Sequence, residues 1–366
     1  MMNSAPENPR LAAARATLSL EDEVVAERLR ALDQIATENV RAGKGGPFAA
    51  ELLIHDVTEN DLITLAGPSG NAVLSKGIAS AHAEAETLTP EAADKALDYL
   101  RAHRSHELHL IQLSSAESCP ACRAKQMVFM YDLHARGWPT DGVLQVAFGA
   151  SYEETAEIAG FNDKPYHDDM AREGGPQMIS LQRCAMDELP DIVRDAVPHD
   201  QPFAAVLDPQ PNGELALCVC DEPTGDDPLL TMEVQALQAS AMMRQAEGYD
   251  EPWNLGKDGP AILLTTAHEP GALMMTDGQW AGISTILFIN EPPRTPPETR
   301  AMGNFELMKL AGAAYNVEGS PLRVRHMATG TFDLTNQAQH VWRDEIVSSD
   351  PTRLYNGLDQ RAEHAG

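Results

Sequence analysis

Cysteine is scarce in this chain, and positive charge is scarcer than negative by a factor of two. The five cysteines (Cys119, Cys122, Cys184, Cys218 and Cys220) are an odd number in 366 residues, which does not make a disulfide framework. The 27 basic side chains face 55 acidic ones, a formal charge of −28. No dense Lys/Arg run offsets it, so a polyanion such as tRNA or single-stranded DNA would be repelled, and a small-molecule partner is expected instead. No apolar run approaches the roughly 20 residues of a membrane span. Residues 1–15 lack the basic-then-apolar layout of a secretory signal. These absences lead us to expect a cytoplasmic protein with no membrane contact.

What remains is ordinary globular composition, 43% hydrophobic and 22% charged, at a length sufficient for two domains. Two short stretches stand out: His82-Ala83-Glu84 and Cys119-Pro120-Ala121-Cys122. One imidazole and two thiolates are the ligand set of a catalytic Zn²⁺, which keeps its fourth position open. A carboxylate two residues after the imidazole, Glu84, is left over for proton transfer. The order H-x-E…P-C-x-x-C is the signature of zinc nucleobase deaminases, here with Ser118 where a proline is usual. A Cys-x-x-Cys can also be a redox pair or half of a structural zinc site. The first wants a thioredoxin-like context, absent here, and the second wants a fourth ligand, while the other cysteines lie far off in sequence.

Taken in order, residues 1–20 read as a flexible leader. Val24, Val25, Leu29, Leu32 and Ile35 have helical spacing over 21–41, and Gly43 to Gly46 ends that helix. Strands are expected at 48–55 and 62–66, then a helix from about Ser80 carrying His82 and Glu84. Thr89-Pro90-Glu91 opens another helix with a capping residue and a proline at its first position. A strand over 106–113, a helix from Cys119 to about Leu133, a strand over 143–148, a helix over 153–158 and a strand over 178–181 follow. This alternation predicts a sheet between helices. His103, His106 and His109 read as polar residues at a helix end and strand start, not as ligands. Cys218 and Cys220 share one face of a strand over 214–220 and read as packing. The Met-rich stretches 241–243 and 273–275 read as core.

The plan recurs. Pro47-Phe48-Ala49-Ala50 returns as Pro202-Phe203-Ala204-Ala205, His82-Ala83-Glu84 falls on Thr231-Met232-Glu233, and the cysteine motif falls on Gly271-Ala272-Leu273-Met274. Three landmarks in one order at nearly constant offset predict a duplicated domain. Glycine has no donor atom and a thioether is a poor Zn²⁺ ligand, so the second copy is expected to hold no metal and Glu233 to be a remnant. The expected domains are 21–186, with the metal, and 187–366, without it.

With these motifs the chain resembles the cytidine deaminase-like superfamily over nearly its whole length, and its first copy is similar to the guanine deaminase branch. The resemblance rests on Gly46-Pro47-Phe48, Asn71, Ala81 to Glu84, Glu117 to Cys122 and Ala159-Gly160-Phe161-Asn162-Asp163. It implies a three-layer α/β/α fold with a mixed five-stranded sheet, in two tandem copies. It implies one Zn²⁺ per chain, held by His82, Cys119 and Cys122, which brings the pKa of a bound water to roughly 7. Glu84 would take that water's proton and pass it to the ring nitrogen and the departing ammonia. The backbone at Ala83 and Ser118 would orient the reacting group, Phe48 would stack on the base, and Asn71 would meet its polar edge. Asp163, beside Phe161, would accept from the exocyclic amino group of guanine. Asn71 can equally be read as a turn residue after Gly70, and Asp163 as a surface acid. The expected substrate is a heterocyclic amine, guanine-like by preference. A nucleoside or nucleotide, a pterin or a triazine is the alternative substrate, and a tRNA-binding scaffold the alternative class. Two such chains could form a homodimer.

Overall fold

A computed structural model describes residues 9–159, 179–222, 227–267, 271–289, 300–302 and 320–347. In the first half of the chain these form α1 (Pro9–Ala13), α2 (Asp22–Arg41), β1 (Ala49–Asp56), β2 (Asp61–Gly70), α3 (Val73–Lys76) and α4 (Pro90–Ala102). Then come β3 (Leu108–Ala116), α5 (Pro120–Ala135), β4 (Leu144–Ala150), α6 (Tyr152–Ala159) and β5 (Ile179–Cys184). The second half supplies α7 (Asp191–Arg194), β6 (Ala204–Pro209), β7 (Leu215–Cys220), α8 (Met232–Ala246), β8 (Ala261–Thr265), α9 (Ala272–Trp280) and β9 (Ile283–Ile289). The last described elements are β10 (Arg300–Met302), β11 (Leu322–His326), α10 (Thr329–Phe332) and α11 (Gln337–Val341).

The chain is mixed α/β, in two compact units that are not contiguous in sequence. Within the described residues the first unit comprises 9–75, 81–159 and 320–347, and the second comprises 76–80, 179–222, 227–267, 271–289 and 300–302. The first sheet has the order β11-β4-β3-β1-β2, and the second β10-β5-β9-β8-β6-β7. In the first, β1 is antiparallel to β2 and β3, while β3, β4 and β11 run parallel. In the second, β6 is antiparallel to β7 and β8, while β8, β9 and β5 run parallel. Each parallel run thus ends on a strand drawn from the other half of the sequence.

The expected boundary at residue 186/187 falls between β5 and its neighbour β9, and between β4 and its neighbour β11. The strand expected over 178–181 forms, but in the second sheet beside β9, and its place beside β4 is taken by β11. A parallel strand needs a long crossover rather than a tight turn, so nothing local ties it to the preceding sheet. The second sheet also carries a sixth strand, β10, antiparallel to β5.

The leader is ordered where it is described. Ala16 N–H donates to Val324 O and His326 N–H to Ala14 O, which lays residues 14–16 along the outer edge of β11 and covers it. Ala14 is fully buried. Above the first sheet, the apolar stripe of α2 (Val25, Leu29, Leu32, Ala36) packs on Leu53, Ile111, Leu113 and Ala147. In the second unit Ala236, Leu237 and Ala241 of α8 pack on Val206, Leu263 and Ile286. Met274 and Met275 join that core as expected, whereas Met242 and Met243 are exposed. No helix among the described residues is long and apolar enough to cross a membrane.

Candidate functional site

The first sheet ends, at the C-terminal edge of β3, in the loop that carries Glu117, Ser118 and Cys119. Cys119 is the N-cap of α5, Pro120 holds its first position, and Cys122 N–H points at Cys119 Sγ at 3.5 Å. The helix N-terminus therefore faces both sulfurs, where its dipole favours thiolate. His82 is placed differently from expectation. No helix starts at Ser80: residues 81–84 form an irregular turn followed by a single 3₁₀ turn, Ala85–Thr87. That turn is held from β3, where Gln112 Nε2 donates to Glu84 O (3.1 Å) and to Thr87 Oγ1 (2.8 Å).

The two motifs converge. His82 Nδ1 lies 3.3 Å from Cys119 Sγ and 3.4 Å from Cys122 Sγ, and all three residues are buried. A tetrahedral Zn²⁺ with sulfur at about 2.3 Å and nitrogen at about 2.0 Å sets its ligands roughly 3.6 Å apart, so these donors fit one ion. They are the one cluster of at least three such side chains with ligand atoms within 4.8 Å of one another among the described residues. Glu84 stands beside them: Cys122 Sγ donates to its Oε2 at 3.4 Å and Ser114 Oγ to its Oε1 at 3.4 Å.

The electrostatics are those of a buried charged cluster. Burial, then the Cys119 thiolate, push the Glu84 carboxyl above its ordinary range. Burial raises both thiols as well. At Cys119 it is outweighed by the Cys122 thiol donating to it and by the His82 ring, so that pKa falls well below normal. Cys122 is pushed well above normal by burial and the adjacent thiolate. Burial disfavours the His82 cation, yet Cys119 more than compensates and its pKa is raised.

A polar layer beneath the cluster escaped the sequence reading. Gln126 of α5 donates to Gln112 Oε1 and to Ser118 Oγ (3.1 Å), and accepts from Arg123 Nη1 (3.2 Å). Arg123, Gln126 and Gln112 are each fully buried. They tie the cysteine helix to the turn of Glu84, so the two halves of the motif share one support. Glu117 is buried with its Oε2 accepting from Tyr152 N–H at 3.0 Å, and burial raises its pKa to about 8. Polar residues inside an otherwise apolar strand (Gln112, Ser114) and a Gln facing one helical turn after the second cysteine were the available signals.

The expected substrate-contacting residues separate into three groups. Ala83 and Ser118 are fully buried next to His82 and Cys119, and Phe48 is half-buried just ahead of β1. Asn71 is buried, and its Oδ1 accepts from Gly46 N–H and Val73 N–H, both at 3.2 Å. That carbonyl therefore serves the turn. Phe161 and Asp163 lie outside the described residues. Of the three histidines near 106, His106 Nδ1 lies 2.6 Å from the buried carboxylate of Asp56, His103 stacks on Tyr99, and His109 meets Glu107. All five cysteines are free thiols.

The second unit holds the corresponding positions. Thr231 caps α8, its hydroxyl accepting from Val234 N–H at 3.4 Å. Gly271 precedes α9, Met274 is core, and Glu233 accepts from Thr265 Oγ1 at 2.6 Å.

No family model matches the chain, and no curated protein does. Solved structures do. NE0047 bound to 2,6-diaminopurine is 24% identical over 44% of this chain and 72% of that one, with a TM-score of 0.27. Guanine deaminase from Bacillus subtilis is 28% identical over 40% and 74%, with a TM-score of 0.26. The N66A mutant of NE0047 in complex with 8-azaguanine is 24% identical over 46% and 83%, with a TM-score of 0.27.

Proposed function

We propose that the chain is a zinc-dependent aminohydrolase that releases ammonia from a nucleobase or related amino-heterocycle, with guanine-like bases preferred. One observation carries the reading: an imidazole and two sulfurs close enough to share an ion, with a buried carboxylate beside them that is not needed as a ligand. His82, Cys119 and Cys122 would hold the Zn²⁺. A Zn²⁺ ion with three protein ligands supplies Lewis acidity and a hydroxide nucleophile at neutral pH.

The chain's own residues do the rest. Glu84 is positioned to take one proton at Oε2 and give it to the ring nitrogen, then to carry a second, from the hydroxyl added to the substrate, to the leaving amine. Ser114 and the Gln112 contact hold its side chain and backbone, so the carboxylate stays beside the ligands rather than among them. The buried wall of Ala83 and Ser118 limits competing water, and the half-exposed ring of Phe48 offers a stacking face. The acidity of the whole chain, −28, favours a neutral base over a polyanionic strand. In the second unit a threonine, a glycine and a methionine stand where donors would be needed, which supports one ion per chain.

The test is metal analysis paired with activity. Purified chain should carry one zinc, and Glu84→Ala should keep it while ammonia release from guanine drops about 10³-fold or more. Zinc-free active protein, or two zincs per chain, would overturn the reading. Scoring cytosine, guanosine, a pterin and a triazine alongside guanine assigns the substrate.

A further inference from the structure

At the opposite end of the first sheet is a second concavity that the deaminase reading does not use. It has a volume of about 760 Å³ and opens where β3, β4 and β11 begin. The cysteine loop follows the other end of β3, so a nine-residue strand, roughly 25–30 Å, separates the two. The ordered leader forms one wall through Ala13 and Arg15, and the segment before β4 forms another.

Its charge runs against that of the chain. Two guanidinium groups, Arg15 and Arg323, line it with a single carboxylate, Asp141, which is exposed. Elsewhere acids outnumber bases two to one. Arg323 is fixed rather than loose: its Nη1 donates to Ser320 O and Leu322 O, both at 2.9 Å. The Nε–Nη2 edge, the one that grips an oxyanion bidentately, meets no acceptor among the described residues. Gln145 adds donors, since its Oε1 is taken by Ser19 N–H at 2.7 Å and the amide N–H groups remain. Leu108, Val143 and Trp138 supply an apolar floor.

We propose that this cavity is a binding site for a small organic anion, a phosphate monoester or a carboxylate on a flat apolar body. The oxyanion would take the Nε–Nη2 edge of Arg323 with Arg15 beside it, and the body would lie on Leu108 and Val143. The proposal stands apart from the zinc reading and survives its failure.

Calorimetric titration of the full chain at low salt tests it with four probes: phenyl phosphate, benzoate, inorganic phosphate and phenol. One of the first two should bind once per chain, at least about tenfold tighter than inorganic phosphate or phenol, and the better of them identifies the acid. Arg323→Gln should weaken that binding about tenfold or more, and Ala13→Glu, an exposed position on the same wall, should weaken it in the same direction. Glu84→Gln should bind as the unaltered chain does, which separates this site from the catalytic one. Absence of saturation by either acid below about 10 mM would overturn the proposal. So would unchanged binding in Ala13→Glu together with an Arg323→Gln that folds and binds normally, or equal loss in Glu84→Gln.

Discussion

The two units share a strand order and differ in the side chains they place on it. Each pairs a first strand antiparallel to its neighbours and continues into three parallel strands, the last borrowed from the other half of the chain. Each keeps a buried carboxylate facing a strand hydroxyl: Glu84 with Ser114 in one, Glu233 with Thr265 in the other. Apart from the sixth strand, β10, the units differ at three positions that matter here. Where the first unit has His82, Cys119 and Cys122, the second has a helix cap, a residue without a side chain and a core thioether. The shared strand order therefore does not depend on that His-Cys-Cys cluster, which only the first unit has among the described residues.

The most severe way to break this comparison is to separate the halves. Residues 1–186 alone would lack β11 and leave the edge of β4 open. We expect that fragment to aggregate or fail to bind zinc, and co-expression with 187–366 to rescue both. A soluble, zinc-loaded fragment by size-exclusion and metal analysis would mean that β5 can take the place of β11.

Next in size, the same chemical change should matter in one unit only. Cys119→Ser should lose most of the zinc and lower ammonia release by about 10³-fold or more. Met274→Leu, a volume-conserving change in the core, should leave both untouched and cost less than about 1.5 kcal/mol by denaturant melt.

A smaller effect probes the borrowed strand through pH. Burial opposes ionisation of Glu154, but the His326 ring, Ser151 N–H and the Thr329 hydroxyl outweigh it and hold its pKa at about 2. A carboxyl depressed in the folded state stabilises above its unfolded value, near 4.5, and loses that contribution as the pH falls toward 2. Glu154→Gln should therefore cost on the order of 1–2 kcal/mol at pH 7, and the gap between variant and parent should close in acid. A gap independent of pH would mean that packing, not charge, ties β11 down.

The least effect is expected at the cap. Thr231→Ala should cost about 1 kcal/mol of stability and change neither zinc content nor activity, unlike any change at His82.

That His82, Cys119 and Cys122 would meet was legible, because candidate metal ligands are particular side chains at short spacings. His-x-Glu and Cys-x-x-Cys carry their chemistry locally, and Cys119-Pro120 announces a helix start that the structure contains. The Thr89-Pro90 cap was equally local, and Thr89 Oγ1 does accept from Ala92 N–H. What the sequence did not disclose depends on partners far away. The Gln112–Gln126–Arg123 layer joins residues from a strand and a helix, and no spacing rule links them. The turn at His82 reads as helix by composition but is held in shape by contacts from β3. Whether a run of β-forming residues such as Ile179–Cys184 joins one sheet or another is invisible to periodicity, because pattern specifies a face and not a neighbour.

The borrowed strand also has a consequence for synthesis. The first sheet cannot be completed when its own half leaves the ribosome, since roughly 175 residues lie between the end of β4 and the end of β11. At translation rates of about 5–20 residues per second, the edge of β4 waits about 10–35 s for its partner. Over that interval the nascent chain exposes a buried-type strand, and it is then that a holdase chaperone, or a neighbouring copy of the same edge, has its opportunity.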